Sequence, residues 1–328
     1  MMTNIALILT GGTICSFADQ QTAERDTDAS AAKTILETHY RQTHPQEQIT
    51  FTSFTPYDIL SENLTPQHWT KLLSLLHSLP YEKFDGIILA HGTDTLAYTA
   101  GMLAAAIEYP SLPIILVSAN APLSETVSNG HDNFAEAVRM IESHIPAGIW
   151  AIYHNHDGIS YLHRGEHLRQ CENFSEDFFS TNMLQTTSIS EFEIACKSQA
   201  APPALEFTDS VLLLAPYVGL RYDTIALNGI QAVILGAYHS QTANALSDSP
   251  YSVLTLLKRC QAQHVFCGIA PCNREKQTYA SCGNLIRSGL FALGEMPTSF
   301  AYAAAHVAIS KGIRENAIGD FILKRFHP

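Results

Sequence analysis

Ile5-Ala6-Leu7-Ile8-Leu9 runs straight into Thr10-Gly11-Gly12-Thr13-Ile14, and further along Gly86-Ile87-Ile88-Leu89-Ala90 runs into His91-Gly92-Thr93-Asp94-Thr95. Both aliphatic runs are short and uniformly apolar, and they read as strands buried on both faces of a parallel sheet. Both end on a glycine-bearing turn that presents threonine hydroxyls. Hydroxyls delivered from the carboxyl ends of neighbouring parallel strands, where glycine lets the backbone approach a ligand, are what a threonine nucleophile requires. Read alone, the first loop is equally a plain turn, and the second reads as a helix N-cap before it reads as a site. Their joint occurrence carries the reading.

Around these stretches strand and helix alternate in the manner of an α/β sheet. The pattern predicts a helix over Ser30 to Tyr40 and a strand over Ile49 to Thr52. Thr65-Pro66 opens a further helix, with Trp69, Leu72, Leu73, Leu75 and Leu76 as its apolar face. A small-residue helix over Leu96 to Ile107, a strand over Pro113 to Ser118, a helix over Asn133 to His144 and a strand over Gly148 to Tyr153 follow. Lys197 to Ala204 reads as a linker, after which Val211 to Leu214 and Ala232 to Leu235 open a second unit. The expectation is an α/β protein with a larger N-terminal parallel-sheet domain at 1–196, a linker at 197–205 and a smaller C-terminal α/β domain at 206–328.

A chain of 328 residues, 46% hydrophobic and 15% charged, supplies enough apolar material for two cores. No apolar stretch approaches the roughly 20 residues of a membrane span. Met1-Met2-Thr3-Asn4 has neither a basic leader nor a cleavage site. Seven cysteines, an odd and scattered number, fit a reducing compartment. These features predict a cytoplasmic protein with no membrane partner. The formal charge of -12 argues against nucleic acid and for a small-molecule substrate. Cys267, Cys272 and Cys282 lack metal-knuckle spacing.

Thr10-Gly11-Gly12-Thr13-Ile14, Ser61-Glu62-Asn63 ahead of a capped helix, and Ala90-His91-Gly92-Thr93-Asp94-Thr95 together resemble the bacterial-type L-asparaginase and glutaminase family, in its cytoplasmic type I branch. Pro122-Leu123, Ser128-Asn129-Gly130 through Asn133, Gly236-Ala237-Tyr238 and Gly294-Glu295-Met296-Pro297-Thr298 extend the resemblance over nearly the whole chain. It implies an amidohydrolase that needs neither metal nor organic cofactor, acts on a small amino-acid amide, and assembles as a homodimer or homotetramer. The resemblance makes Thr13 the nucleophile that forms an acyl-enzyme and sets Thr93 opposite it. It makes Asp94 the anchor of the substrate's α-ammonium, with Glu62 a second amine-side contact and Ser61 the holder of the α-carboxylate. Gly12 and Gly92 let the chain come close to substrate.

Two positions depart from the family pattern. The family's relay lysine follows a strand and an Arg-Gly pair, as in Leu162-His163-Arg164-Gly165, and precedes a stretch like Phe178-Phe179-Ser180-Thr181-Asn182. Counting from the two ends gives Gln170 and Arg169, and no lysine lies between Lys83 and Lys197. Neither an amide nor a guanidinium serves as a base. Arg169 could stabilise negative charge, and His167 and Glu166 either titrate nearby or belong to a solvated loop. The family's lid tyrosine is also missing, since Cys15 to Lys33 contains none, although Asp19 to Asp26 is polar as a lid requires. Thr22, Glu24 or a residue of a partner chain could take its place, and the sequence singles out none of them.

His154-x-His156 and His163-x3-His167 are too loosely spaced for a metal site and read as a strand edge with its turn. Tyr238-His239-Ser240-Gln241-Thr242 ends a second-domain strand. The resemblance sets His239 or Ser240 against a neighbouring protomer's substrate, and the alternative is a structural loop. Three functions follow: asparagine hydrolysis, a catalytically impaired asparagine or aspartate binder, or the amidase subunit of a tRNA amidotransferase, against which the acidic charge counts.

Overall fold

The computed structural model describes residues 2–18, 22, 24–181, 184–186, 201–275 and 279–326. The chain divides into two compact units, Met1–Ala204 and Leu205–Pro328. Of the expected linker, residues 197–200 lie outside the described residues.

In the first unit the order is β1 (Thr3–Leu9), β2 (Ser16–Ala18), β3 (Arg25–Thr27), α1 (Ala29–Thr43), β4 (Ile49–Phe54), α2 (Pro66–Ser78) and β5 (Gly86–Ala90). It continues through α3 (Leu96–Ala106), β6 (Pro113–Val117), α4 (Gly130–Glu142), β7 (Gly148–His154), β8 (Ser160–Arg164) and β9 (Leu184–Gln185). Seven strands form one sheet in the order β4-β1-β5-β6-β7-β8-β9. The first five are parallel, while β8 and β9 add antiparallel.

All five residues of β5 and of β6 are buried, as expected of strands covered on both faces. Ile5, Leu7, Ile88 and Ile115 pack against Leu36 and Tyr40 of α1 and Phe134 and Val138 of α4. The intervening Ala6, Ile8, Ile87, Leu89 and Leu116 are equally buried. At the start of α2 the Thr65 N–H donates to His68 Nδ1 at 3.0 Å, closing the cap that the sequence predicts.

The fourth helix begins at Gly130, one turn before the expected Asn133. Asn133 is not a cap: its Nδ2 donates to the Ser118 carbonyl at 2.9 Å, and its Oδ1 accepts the His154 N–H at 2.7 Å. It ties the ends of β6 and β7 together from inside the helix.

In the second unit β10 (Val211–Leu214), β11 (Ala232–Gly236), α5 (Val253–Ala262), β12 (Phe266–Ala270), α6 (Ala280–Arg287) and β13 (Phe291–Ala292) precede α7 (Thr298–Ser310) and α8 (Asn316–Arg325). Its four strands are parallel in sequential order. Among the described residues no helix is long and apolar enough to cross a membrane.

Candidate active site

After β1 the main chain returns to the sheet at β4 on one side, and its next strand, β5, lies on the other. Strand order therefore reverses at β1 and β5, and the crevice at the carboxyl ends of such a pair is where open α/β sheets bind ligands. Leu9 pairs with Ala90, so the two threonine turns leave the sheet side by side.

The first turn is fastened on both sides. Thr10 Oγ1 donates to the Ala90 carbonyl at 2.9 Å, and the Gly12 N–H donates to the Ile59 carbonyl at 2.8 Å. Gly12 has φ 76° and ψ -171°, a conformation essentially reserved for glycine. A Cβ on Gly12 would stand 2.0 Å from the Gly92 Cα, and a Cβ on Gly92 would stand 2.3 Å from the Ser61 Cβ. The backbones of the two turns thus touch, and Ser61, which follows β4, packs against the second of them.

Thr13 opens a 3-10 turn, Thr13–Cys15, and is half-buried. Its hydroxyl has no partner among the described residues, while its carbonyl accepts the Ser16 hydroxyl at 3.0 Å. Thr93 opens the matching turn Thr93–Thr95, and its hydroxyl donates to the Ala119 carbonyl at 2.7 Å. That bond leaves the oxygen free to accept. Glu62 and Asp94 are exposed, and neither has an ion-pair partner among the described residues. Ser61 is buried, and its carbonyl accepts the Thr95 hydroxyl at 3.2 Å. A free hydroxyl, a second hydroxyl fixed in direction and two unpaired carboxylates suit an attack on a molecule that carries a cation.

Of the two candidates for the relay position, Gln170 is the one turned inward. Its Nε2 donates to the Asp94 carbonyl, and its Oε1 is buried without a partner among the described residues. Arg169 turns outward to Glu172 at 2.9 Å. Glu166 is buried beside Arg164 at 3.2 Å, and His167 bonds the Thr181 hydroxyl.

His91, behind the second turn, is buried; its Nδ1 lies 2.9 Å from the Gly92 carbonyl and its Nε2 2.9 Å from the Thr99 hydroxyl. Burial pushes its pKa down to about 4, so the ring is neutral. Its N–H then faces the carbonyl, and the other nitrogen accepts from Thr99. The other histidines weighed as a metal site take separate partners: His154 the Ser160 hydroxyl, His163 the Ser180 hydroxyl and His156 the carboxylate of Asp177.

Residues 19–21 and 23 of the expected lid lie outside the described residues. The flanking parts form an antiparallel pair, β2 with β3, which the polar sequence did not announce. Thr22 accepts the Glu24 N–H at 3.2 Å. In the second unit His239 and Ser240 are exposed on a loop closed by the Tyr238 N–H to the Thr242 carbonyl. The same unit holds a cavity of about 1000 Å³ lined by Tyr217, Tyr222, Tyr238, Tyr251 and Arg287, which includes none of the threonine-turn residues.

A family model described as asparaginase, N-terminal, matches residues 4–201, more than half of the chain. A glutamyl-tRNA(Gln) amidotransferase subunit of Methanobrevibacter smithii is 31% identical over 180 residues, 54% of this chain and 39% of its own length. The chain therefore spans about two fifths of that relative. The thermostable L-asparaginase from Thermococcus kodakarensis superposes with a TM-score of 0.79 at 16% identity, over 98% of this chain and 97% of that one. L-asparaginase I from Vibrio cholerae O1 gives 0.74 at 20% identity, over 100% and 98%. The last two likenesses show the fold; with the family model, they establish that the chain belongs to the asparaginase family.

Proposed function

We propose that this chain is an amidohydrolase that converts L-asparagine, or a related small side-chain amide, to aspartate and ammonia through a threonyl acyl-enzyme. The observation that carries the reading is the contact between Gly12 and Gly92, which sets the turns bearing Thr13 and Thr93 together at the sheet's switch point. Thr13 Oγ1 bonds to the amide carbon, and the C–N bond breaks as the nitrogen leaves with the threonine proton as ammonia. Water then cleaves the ester and returns a proton to Thr13. Thr93 accepts a hydrogen bond at the reacting group, with its own proton committed to Ala119. Asp94 and Glu62 face the α-ammonium, and Ser61 with the neighbouring backbone N–H groups lies toward the α-carboxylate. Neither metal nor cofactor enters these steps. The enzyme is read as a cytoplasmic homodimer or homotetramer.

Gln170 accepts and donates hydrogen bonds but takes up no proton. Turnover is therefore expected to be slow near neutral pH and to climb with hydroxide concentration. Ammonia release from asparagine by purified protein tests the reading, and Thr13→Ala should lower it by about 10³-fold or more. A variant as fast as the wild type would remove Thr13 as nucleophile.

The same glutamine favours a second reading, an asparagine- or aspartate-binding protein that keeps Ser61, Glu62 and Asp94 without a relay. Micromolar binding in a calorimeter with no ammonia released would select it. The likeness to an amidotransferase subunit supports a third, in which the ammonia passes to a partner, and co-purification with such a partner is its test.

A further inference from the structure

The arm that leaves Thr13 is anchored firmly at its base, and among the described residues an ion pair fastens its last paired rung. At the base the Asp28 N–H donates to the Cys15 carbonyl at 2.9 Å, the Ala29 N–H to Asp58 at 2.8 Å, and Asp28 caps α1 through the Ala31 N–H. From there β2 and β3 pair over only three rungs, Ser16 with Thr27, Phe17 with Asp26 and Ala18 with Arg25. A two-stranded ribbon of that length is marginal by itself. At its last rung Arg25 Nη2 meets Glu125 Oε1 at 2.6 Å, with the two side chains 49% and 40% exposed.

Glu125 belongs to the loop between β6 and α4, which is tied shut from within. The Asn120 N–H donates to Asn129 Oδ1 at 3.0 Å, and the Asn129 N–H returns a bond to Asn120 Oδ1 at 2.9 Å. Near its start the loop carries Ala119, whose carbonyl holds the Thr93 hydroxyl. Asn120 Nδ2 also reaches Glu176 at 3.2 Å, in the segment that follows Gln170. One closed circuit therefore runs from Thr13 along the arm to Arg25, across to Glu125, back through the loop to Ala119 and on to Thr93. The Arg25 to Glu125 contact is its one link made by exposed, charged side chains.

We infer that Arg25 and Glu125 are positioning residues, a latch that holds the β2–β3 arm to the 118–129 loop and so sets how readily the crevice between Thr13 and Thr93 retains substrate. The kinetic consequence rests on the amidohydrolase reading; the latch itself does not. An exposed pair of this kind changes an equilibrium by roughly two- to fivefold, and salt weakens it.

Hydrogen exchange of residues 16–27 and asparagine kinetics, measured together, test the inference. Arg25→Gln and Glu125→Gln should each speed exchange in the arm and raise KM by about two- to fivefold, with kcat within twofold. The double reversal, Arg25→Glu with Glu125→Arg, should restore both. High salt should reproduce the effect in the wild type and add nothing to Glu125→Gln. Unchanged exchange in both single variants, or a double reversal that restores neither measurement, would overturn the latch. If the wild type releases no ammonia while the exchange responds as stated, the latch stands and the amidohydrolase reading falls.

Discussion

The two walls of the crevice are built on opposite principles. The inner wall, where Gly12, Gly92 and Ser61 meet, is made by leaving atoms out: backbone lies against backbone, with no room for a side chain on either glycine. The outer wall is made by adding one polar side chain, Gln170, which reaches the Asp94 carbonyl and leaves an acceptor unpaired. A wall defined by missing atoms has a single solution, because any Cβ collides with main chain that the sheet holds in place. A wall defined by a side chain can be re-equipped while the fold stays as it is. On the proposed amidohydrolase reading, the inner wall is the part that fixes the geometry of attack, and the outer wall is the part whose proton chemistry is open to change.

The largest effect should come from filling the inner wall. Gly12→Ala combines a backbone conformation that alanine rarely adopts with a Cβ 2.0 Å from the Gly92 Cα. Strain and overpacking of this kind cost about 1–3 kcal/mol each, so a loss of about 2–6 kcal/mol is expected, a large part of a typical protein's stability. Urea unfolding measures it. A loss below about 1 kcal/mol would mean that the turns part easily and that the contrast between the walls is false.

The same contrast explains what was legible beforehand. The buried strands were readable because an unbroken aliphatic run has few other uses: Gly86 to Ala90 and Val211 to Leu214 fall where the sequence sets them. The two threonine turns were readable because glycine beside threonine at a strand end is a chemical statement as well as a conformational one. What stayed hidden depends on contacts between residues far apart in the chain. Nothing in Arg25-Asp26-Thr27 announces a strand, since three polar residues acquire that state only by pairing with Ser16-Phe17-Ala18. The helix expected from Asn133 starts a turn earlier, and the Asn133 amide bridges β6 and β7 from the core. The choice between Arg169 and Gln170 needed the side-chain direction, which adjacent positions in a sequence do not reveal.

At the outer wall the prediction runs toward gain. Gln170→Lys offers the Asp94 carbonyl an ammonium donor and gives the crevice a group that can carry a proton. General acid–base assistance contributes about 10²–10⁴-fold where it is well placed. An imported lysine without its evolved surroundings should at most reach the bottom of that range, roughly a 10- to 100-fold rise in ammonia release, with little change in melting temperature. A rate that stays flat while asparagine still binds would favour the binding-protein reading and would show that more than one residue separates this wall from a working relay.

The last effect is a titration spread over about two pH units and more, and it strikes the two walls separately. His91 lies behind the inner wall, and His163, on β8, belongs to the strand that leads to the outer one; burial holds both near a pKa of about 4. In the unfolded chain each returns to about 6.5. Between those values the unfolded state binds more protons than the folded state, so stability is complete above about pH 6.5 and is lost as the pH falls toward about 4. Each histidine contributes a slope of about 1.4 kcal/mol per pH unit across that window, and below it both states are protonated and the slope vanishes. His91→Gln and His163→Gln should each flatten the acid limb of the stability curve by about that amount, measured as unfolding free energy against pH. The two should differ in activity: His91 bonds the carbonyl of Gly92 itself, whereas His163 bonds only the Ser180 hydroxyl and leaves its other nitrogen unpaired. Acid loss of ammonia release that tracks His91 but not His163 would locate the demand for precision at the inner wall. Equal losses would mean that the two walls move as one.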